Sequence, residues 1–500
     1  MVLILQVLIM IFFGAQKNSY FIDEVASYGL SNSYYMPFIQ YRDDFELSKI
    51  DQDVFKKYLS VDSQDAFKYD SVFFNQSNDV HPPFYYIIFH TVSSLFEGDY
   101  SKWLGIGINI VIFIFIDIFL YAIVKMIDNE DAALCTVAIW GFSSAAINTV
   151  TFIRMYALLS LMVIIFIYLH KFLLKSKIKV LDMIPLMIVM TLGSLTHYYF
   201  IIFAFFYCGL TCLYLLIKKR FKELLIYTAL TLVSVMIAII IFPPMIDHIF
   251  LSYRGDDSFA ALRDGSLWFG RHFKIIDLLY TYWPITLFAL CILTLVVVYI
   301  LYRSKNKHLL KIKAIISDKR FAYMSILTLT SIIYFLMIAK IAPFLTDRYI
   351  MVLFSIGAIY GGLFIYRTLS FIKDRNRLMI GMTTCILLSL TTWWLLPMHY
   401  LYTDSKIRLY LTDVYKDLPV IYIYSDLWQT SIYFNELAEH PNTIFVSKEN
   451  IDKLDIERLD YDEAIVYVEG DVNDDLIMAR FKGKDIDLLT DVRSRMYHLS

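Results

Sequence analysis

The chain carries a succession of apolar runs, each close to the ~20 residues a helix needs to cross the hydrocarbon of a bilayer. They fall at about 102–125, 132–152, 155–173, 180–197, 198–217, 223–245, 275–302, 321–340, 348–366 and 378–397. With 58% hydrophobic residues arranged this way, no single soluble core could hide them. The pattern predicts an all-α polytopic membrane protein. A shorter run, Val2 to Phe13, lacks a basic flank and reads either as the first anchor or as a cleaved signal. Counting it as an anchor gives about eleven spans.

Charge sorts the loops. The links 171–179 (KFLLKSKIK), 218–222 (KKRFK), 303–320 (RSKNKHLLKIKAIISDKR) and 367–377 (RTLSFIKDRNR) hold most of the clustered Lys and Arg. They all fall in the cytoplasm only if 84–96, inside VHPPFYYIIFH, does not cross. That segment is short and carries His90 and two serines. It is expected to lie along the outer surface as a juxtamembrane helix, anchored by its aromatic face. The turn 126–131 (MIDNED) is the one acidic cytoplasmic link. The outside then owns loops 17–101 and 244–274 and everything after about 403.

From Asp404 onward acids outnumber bases by 20 to 11. VIYIYS (420–425), TIFVS (443–447) and EAIVYV (463–468) alternate with helical patterns such as 427–440. This predicts a small parallel α/β domain of three or so strands over 404–500, outside the membrane, following a membrane domain over 1–403. No phosphate-binding turn follows any of these strands, so a binding or structural role is expected for it.

The five cysteines (Cys135, Cys208, Cys212, Cys291, Cys385) sit in apolar runs and imply packing, not disulfides or metal. Seventeen glycines are few for a transporter built on broken helices. No nucleotide-binding glycine loop is present, and no nucleic-acid partner is expected.

Candidates for chemistry gather at the predicted outer helix ends. Asp23 and Glu24 follow the first span, and Asp79 and His81 close the same loop. Together they offer a carboxylate base beside a histidine, or a metal site of hard oxygen and imidazole ligands. Arg154 and His197 sit at other outer ends, where they are costly unless paired or facing water. Arg348, with Lys340 a short loop away, suits an anionic head group because its fork holds phosphate in a bidentate manner. Arg254 and Arg263 lie in a loop placed to cover a pocket. Asp117, within the second span, is expected to make a structural hydrogen bond near the inner end.

The order of these motifs (Asp-Glu after the first span, HPPFYY, RMYAL, LTHYYF and DRY) resembles the membrane glycosyltransferases of the GT-C type. The nearest branch is that of the bacterial protein O-mannosyltransferases and aminoarabinose transferases, and the resemblance covers about residues 1–400. It implies transfer of a sugar from a polyprenyl-phosphate carrier to an acceptor, with inversion, on the outer face. Asp23 would be the general base and Glu24 its support. Arg348 would hold the donor phosphate, with Lys340 and Arg254 as further cations. Asp79, His81, Arg154, Tyr156, His197, Tyr198 and Tyr349 would line the pocket. Some relatives carry Glu directly before the residue matching His81; this chain has Val80 there.

A phosphate leaves as an anion, so one base and positive charge suffice, and no cofactor is required. A divalent metal on Asp79, His81 and His197 is the alternative. The expected partners are the lipid-linked donor, a glycan, lipid or protein acceptor, and the bilayer of the plasma membrane. The competing functions are a lipid or glycan transporter and a non-enzymatic envelope assembly subunit.

Overall fold

The apolar runs fold into helices. The computed structural model describes residues 1–175, 179–265, 268–282, 319–369, 374–395, 398–454 and 462–500. Most of the expected span at 275–302, Cys291 and the basic stretch 303–318 lie outside the described residues. Six described helices are long and apolar enough to cross a membrane: Lys102–Ile127, Tyr156–Leu174, Tyr198–Ile217, Phe221–Ile241, Lys319–Ile341 and Asp347–Thr368. The expected span at 132–152 is a pair, Glu130–Gly141 and Ser144–Thr151, bent by 60°. The Val2–Ala15 and Val180–Ser194 helices are apolar but shorter. Ile4, Leu5, Leu8 and Phe12 face outward, as lipid contact requires. The chain is a multi-pass membrane protein. The four described cysteines are free thiols.

Described residues from three of the basic links lie at one end of the bundle. Arg320 donates to the Ile127 carbonyl (3.2 Å) and Lys319 to that of Leu174 (3.3 Å). Arg367 pairs with Asp128 (2.6 Å), and Tyr366 donates to Asp131. The acidic turn 126–131 therefore serves as counter-charge for its basic neighbours, which explains its departure from the loop pattern.

Phe84–Ser93 is a helix of 10 residues, about 15 Å long at 1.5 Å per residue, far too short to cross. The expectation that its aromatic face anchors in lipid is overturned. Tyr85, Tyr86 and Phe89 are fully buried in the protein, Phe89 packing edge-on against Tyr28 at 4.7 Å. Asp117 also departs from expectation: both carboxylate oxygens are buried with no hydrogen-bond partner among the described residues. The sequence shows the acid but not that the described residues around it offer no donor.

At the other end sits a six-stranded sheet of order β1-β3-β2-β4-β6-β5. Its centre is the three predicted runs, β2 Val420–Tyr424, β3 Asn442–Ser447 and β4 Ala464–Glu469, with β2 parallel to both neighbours. Both faces of β2 are buried, so it reads as a continuous apolar run and not as an alternation. Two further strands, β5 Ile486–Thr490 and β6 Arg495–Leu499, extend the sheet antiparallel. The remaining one, β1 Lys49–Asp51, comes from the first large loop and pairs antiparallel with β3. Phe45 stacks on Phe445 at 4.2 Å beside this junction. Loop and tail thus share one sheet and lie on the same side of the bundle.

Candidate active site

The chain leaves the Val2–Ala15 helix, turns through 16–21 and starts the Ile22–Asn32 helix, whose first turn carries Asp23 and Glu24. Carboxylates suit this position because unpaired backbone N–H groups and the helix dipole favour negative charge there. Neighbours on a helix point about 100° apart, and these two go separate ways. Glu24 is fully buried and saturated. It accepts from Lys17 Nζ (2.9 Å), from its own N-cap amide at Phe21 (2.7 Å) and from the amide of Ile153 (2.7 Å). Burial pushes its carboxyl above the ordinary glutamate value and the Lys17 ammonium below the ordinary lysine value. Asp23 is 30% exposed and pairs with Arg348.

Ile153 belongs to the break between the Ser144–Thr151 helix and the helix starting at Tyr156. Irregular backbone at membrane depth is tolerated only where protein satisfies its polar groups. Here Asn109 donates to the carbonyls of Val150 (3.0 Å) and Phe152 (2.9 Å), and Glu24 accepts from Ile153. The break turns Arg154 inward, 4% exposed, toward Ser27 Oγ (3.3 Å) and His81 Nδ1 (3.5 Å), with its guanidinium over the Tyr86 ring. His81 Nδ1 is also 2.7 Å from Asp79 Oδ2. Burial opposes charge on Asp79, yet the His81 and Arg154 charges outweigh it and hold the carboxyl below the ordinary aspartate value.

Aromatic rings close the other side. The His197 ring lies 5.8 Å from His81, 5.4 Å from Tyr156 and 4.6 Å from Tyr199. Tyr349 lies 6.0 Å from Tyr156 and 5.6 Å from Tyr199. Arg348 sits in the short turn Asp347–Ile350, steadied by Tyr400 donating to Asp347 (2.7 Å). Its guanidinium lies over Phe21 (5.5 Å) and Tyr349 (5.0 Å) and donates to the Tyr349 hydroxyl at 3.2 Å. Arg254, from the second large loop, approaches Phe344 at 5.4 Å, and Arg348 approaches the same ring at 6.0 Å. Two cations therefore flank one ring at the edge of the site.

Asp23, Asp79, His81, Arg154, Tyr156, His197, Arg348 and Tyr349 thus converge, with Arg254 at the rim. Three other candidates lie apart. Glu24 is sealed behind the site. Tyr198 turns to His248 Nδ1 (2.7 Å) on the second loop. Lys340 is buried and donates to the Asp264 carbonyl. Sequence reasoning missed Lys17, Tyr199, Phe344 and Tyr400. Tyr199 was one step away within HYYF, and helix phase decides which of the two tyrosines faces the site. The other three gave no signal, because only the fold brings them near.

Among the described residues no three His, Cys, Asp or Glu side chains are grouped to hold a metal ion. His197 Nδ1 accepts from the Tyr199 amide (3.0 Å) as a helix cap, and His81 meets Asp79 through its own Nδ1.

The comparisons with known proteins agree with the motif resemblance. Residues 80–246 match the family model described as dolichyl-phosphate-mannose-protein mannosyltransferase. The whole chain shares its fold with ArnT from Cupriavidus metallidurans, an aminoarabinose transferase of the GT-C fold. Against ArnT bound to undecaprenyl phosphate the TM-score is 0.53 at 10% identity, covering 99% of this chain and 97% of that one. Against ArnT in the apo state it is 0.50 at 10% identity, covering 95% of each. No curated protein matches the sequence.

Proposed function

We propose that the chain is an integral-membrane glycosyltransferase that moves a sugar from a polyprenyl-phosphate carrier to an acceptor hydroxyl, with inversion. The observation that carries this reading is the ion pair between Asp23 and Arg348, one partner part-exposed and the other buried, in a pocket of tyrosines and histidines. The motif order, the family match over 80–246 and the shared fold support it.

In this mechanism Arg348, with Arg254 at the rim, holds the donor phosphate and offsets the charge it gains as the C–O bond to the anomeric carbon breaks. The acceptor oxygen attacks from the opposite face while Asp23 takes its proton. Arg154 and the Asp79–His81 pair shape the pocket floor, and the rings of Tyr156, Tyr199 and Tyr349 face the sugar. A phosphate leaving group needs no protonation, so the second carboxyl group of a glycosidase is not required. A metal is not part of this mechanism. We place the site on the extracytoplasmic face of the plasma membrane; the described basic residues at the opposite end of the bundle support this reading.

The test is a transfer assay in membranes with radiolabelled polyprenyl-phosphate sugars. Label should move to an acceptor with the wild-type chain and not with Asp23→Asn. Transfer equal in both would refute the mechanism.

A further inference from the structure

The linker that delivers Asp23 is held from the far end of the chain. Arg493, in the turn between β5 and β6, donates from Nη1 to Ser19 Oγ and from Nη2 to the Tyr20 carbonyl (2.9 Å). Its guanidinium lies 4.5 Å from the Tyr402 ring centroid, and Lys17 Nζ lies 5.3 Å from the same ring. The Asn18 amide donates to the Leu401 carbonyl at 2.8 Å. Residues 17–20 are thus gripped from both sides, three residues before Asp23.

The two gripping residues also hold unfavourable backbones. Tyr402 has φ +49° and Arg493 φ +64°, the left-handed region that side chains with a Cβ rarely adopt. Such conformations persist only where surrounding contacts over-determine them, and they cluster at functional positions. Here both strained residues meet at one ring contact, and that contact bears on the linker. Ordinary docking of the tail does not need it, since β1–β3 pairing and the hydrogen bonds to Glu46 already join tail and loop.

We propose that Arg493 is a positioning residue for the transfer reaction. Clamped on Tyr402, it fixes the 17–20 linker and through it the placement of the Asp23 carboxylate, which makes the tail a working part of the site. The inference rests on Asp23 acting as base. A residue of this kind changes kcat more than donor binding, because the phosphate contacts lie on Arg348 and Arg254.

The experiment compares the full-length wild type with Arg493→Ala, Arg493→Lys, Asp23→Asn and, as a tail-surface control, Lys482→Ala. It reads kcat, donor KM, affinity for undecaprenyl phosphate and thermal stability. Arg493→Ala should lose on the order of 10²-fold in kcat, the scale of a 1 Å misplacement, with undecaprenyl phosphate affinity within about twofold. Arg493→Lys should recover part, and Lys482→Ala should match wild type. Wild-type kcat in Arg493→Ala, or parallel loss of kcat and ligand affinity, overturns the proposal. If Arg493→Ala does not fold, Arg493→Lys decides: reduced kcat with retained affinity supports the proposal, and unchanged kcat overturns it. Full activity in Asp23→Asn would instead remove the base assignment itself, so the two failures are distinguishable.

Discussion

Asp23 and Arg348, separated by 325 positions in the sequence, form an ion pair at the end of the bundle where the two large loops and the tail meet. Each offsets the charge of the other. In the proposed mechanism a donor phosphate would compete with Asp23 for the guanidinium, and as it took Arg348 it would leave the carboxylate free for an acceptor proton. Donor binding before acceptor binding is the expected order.

Arg348→Ala should therefore weaken affinity for undecaprenyl phosphate by about 1.5–3 kcal/mol, the worth of a charge-assisted hydrogen bond, or roughly 10- to 150-fold. Acceptor KM should change little. Arg348→Lys should recover only part, since an ammonium cannot reproduce the planar fork. Titration of the purified variants with the lipid checks this, and unchanged affinity in Arg348→Ala would make the residue a boundary anchor.

Glu24 predicts a different phenotype from its neighbour. Removing it by Glu24→Ala leaves the buried Lys17 ammonium with the Tyr400 carbonyl but no counter-charge from Glu24, and takes the acceptor from the amides of Phe21 and Ile153. Breaking a buried pair in this way costs about 3–5 kcal/mol. Glu24→Gln keeps one carbonyl acceptor and should cost less. Thermal unfolding in detergent should rank the variants wild type, Gln, Ala, whereas Asp23→Asn should unfold near wild type.

The junction of loop and sheet predicts a pH dependence. Burial opposes charge on Glu46, but donors from Ser447 and Asn450 outweigh it and hold the carboxyl below its ordinary value. A depressed carboxylate contributes stability above the unfolded pKa of ~4.3 and loses it as pH falls through the lower folded value. Limited proteolysis within 40–80 should be steady near neutral pH and increase only below pH ~4. Glu46→Gln should raise it near neutral pH toward the level wild type reaches in acid, and so flatten the profile.

Sidedness can be read with two exposed positions. Cysteines placed at Ser63 and Lys482 should both react with an impermeant thiol reagent in intact cells. Protection of either until lysis would overturn the outer placement of loop and tail.

Much of this fold was legible because its determinants are local or compositional. Apolar runs of bilayer length gave the helices, and clustered Lys and Arg gave the ends that group together. Continuous β-rich runs gave β2, β3 and β4. What escaped was set by contacts distant in sequence. β1 is three residues long and exists because Phe45 and Glu46 dock on β3. The aromatic face of Phe84–Ser93 is indistinguishable in sequence from a lipid-facing one until Tyr28 packs against it. At the site, Asp-Glu marked the right turn of helix, but only the buried Lys17 and the Ile153 amide explain why the two acids diverge. Arg493, 470 positions after Asp23, carried no motif at all.

The most direct test of the account is kcat for Asp23→Asn. The amide keeps the shape of the side chain but cannot accept the proton of the attacking hydroxyl, so kcat should fall by roughly 10²–10⁴. Affinity for undecaprenyl phosphate should stay within a few-fold of wild type, because Arg348 remains. A wild-type kcat in Asp23→Asn, measured in the same membranes with the same lipid-linked donor, would contradict the account.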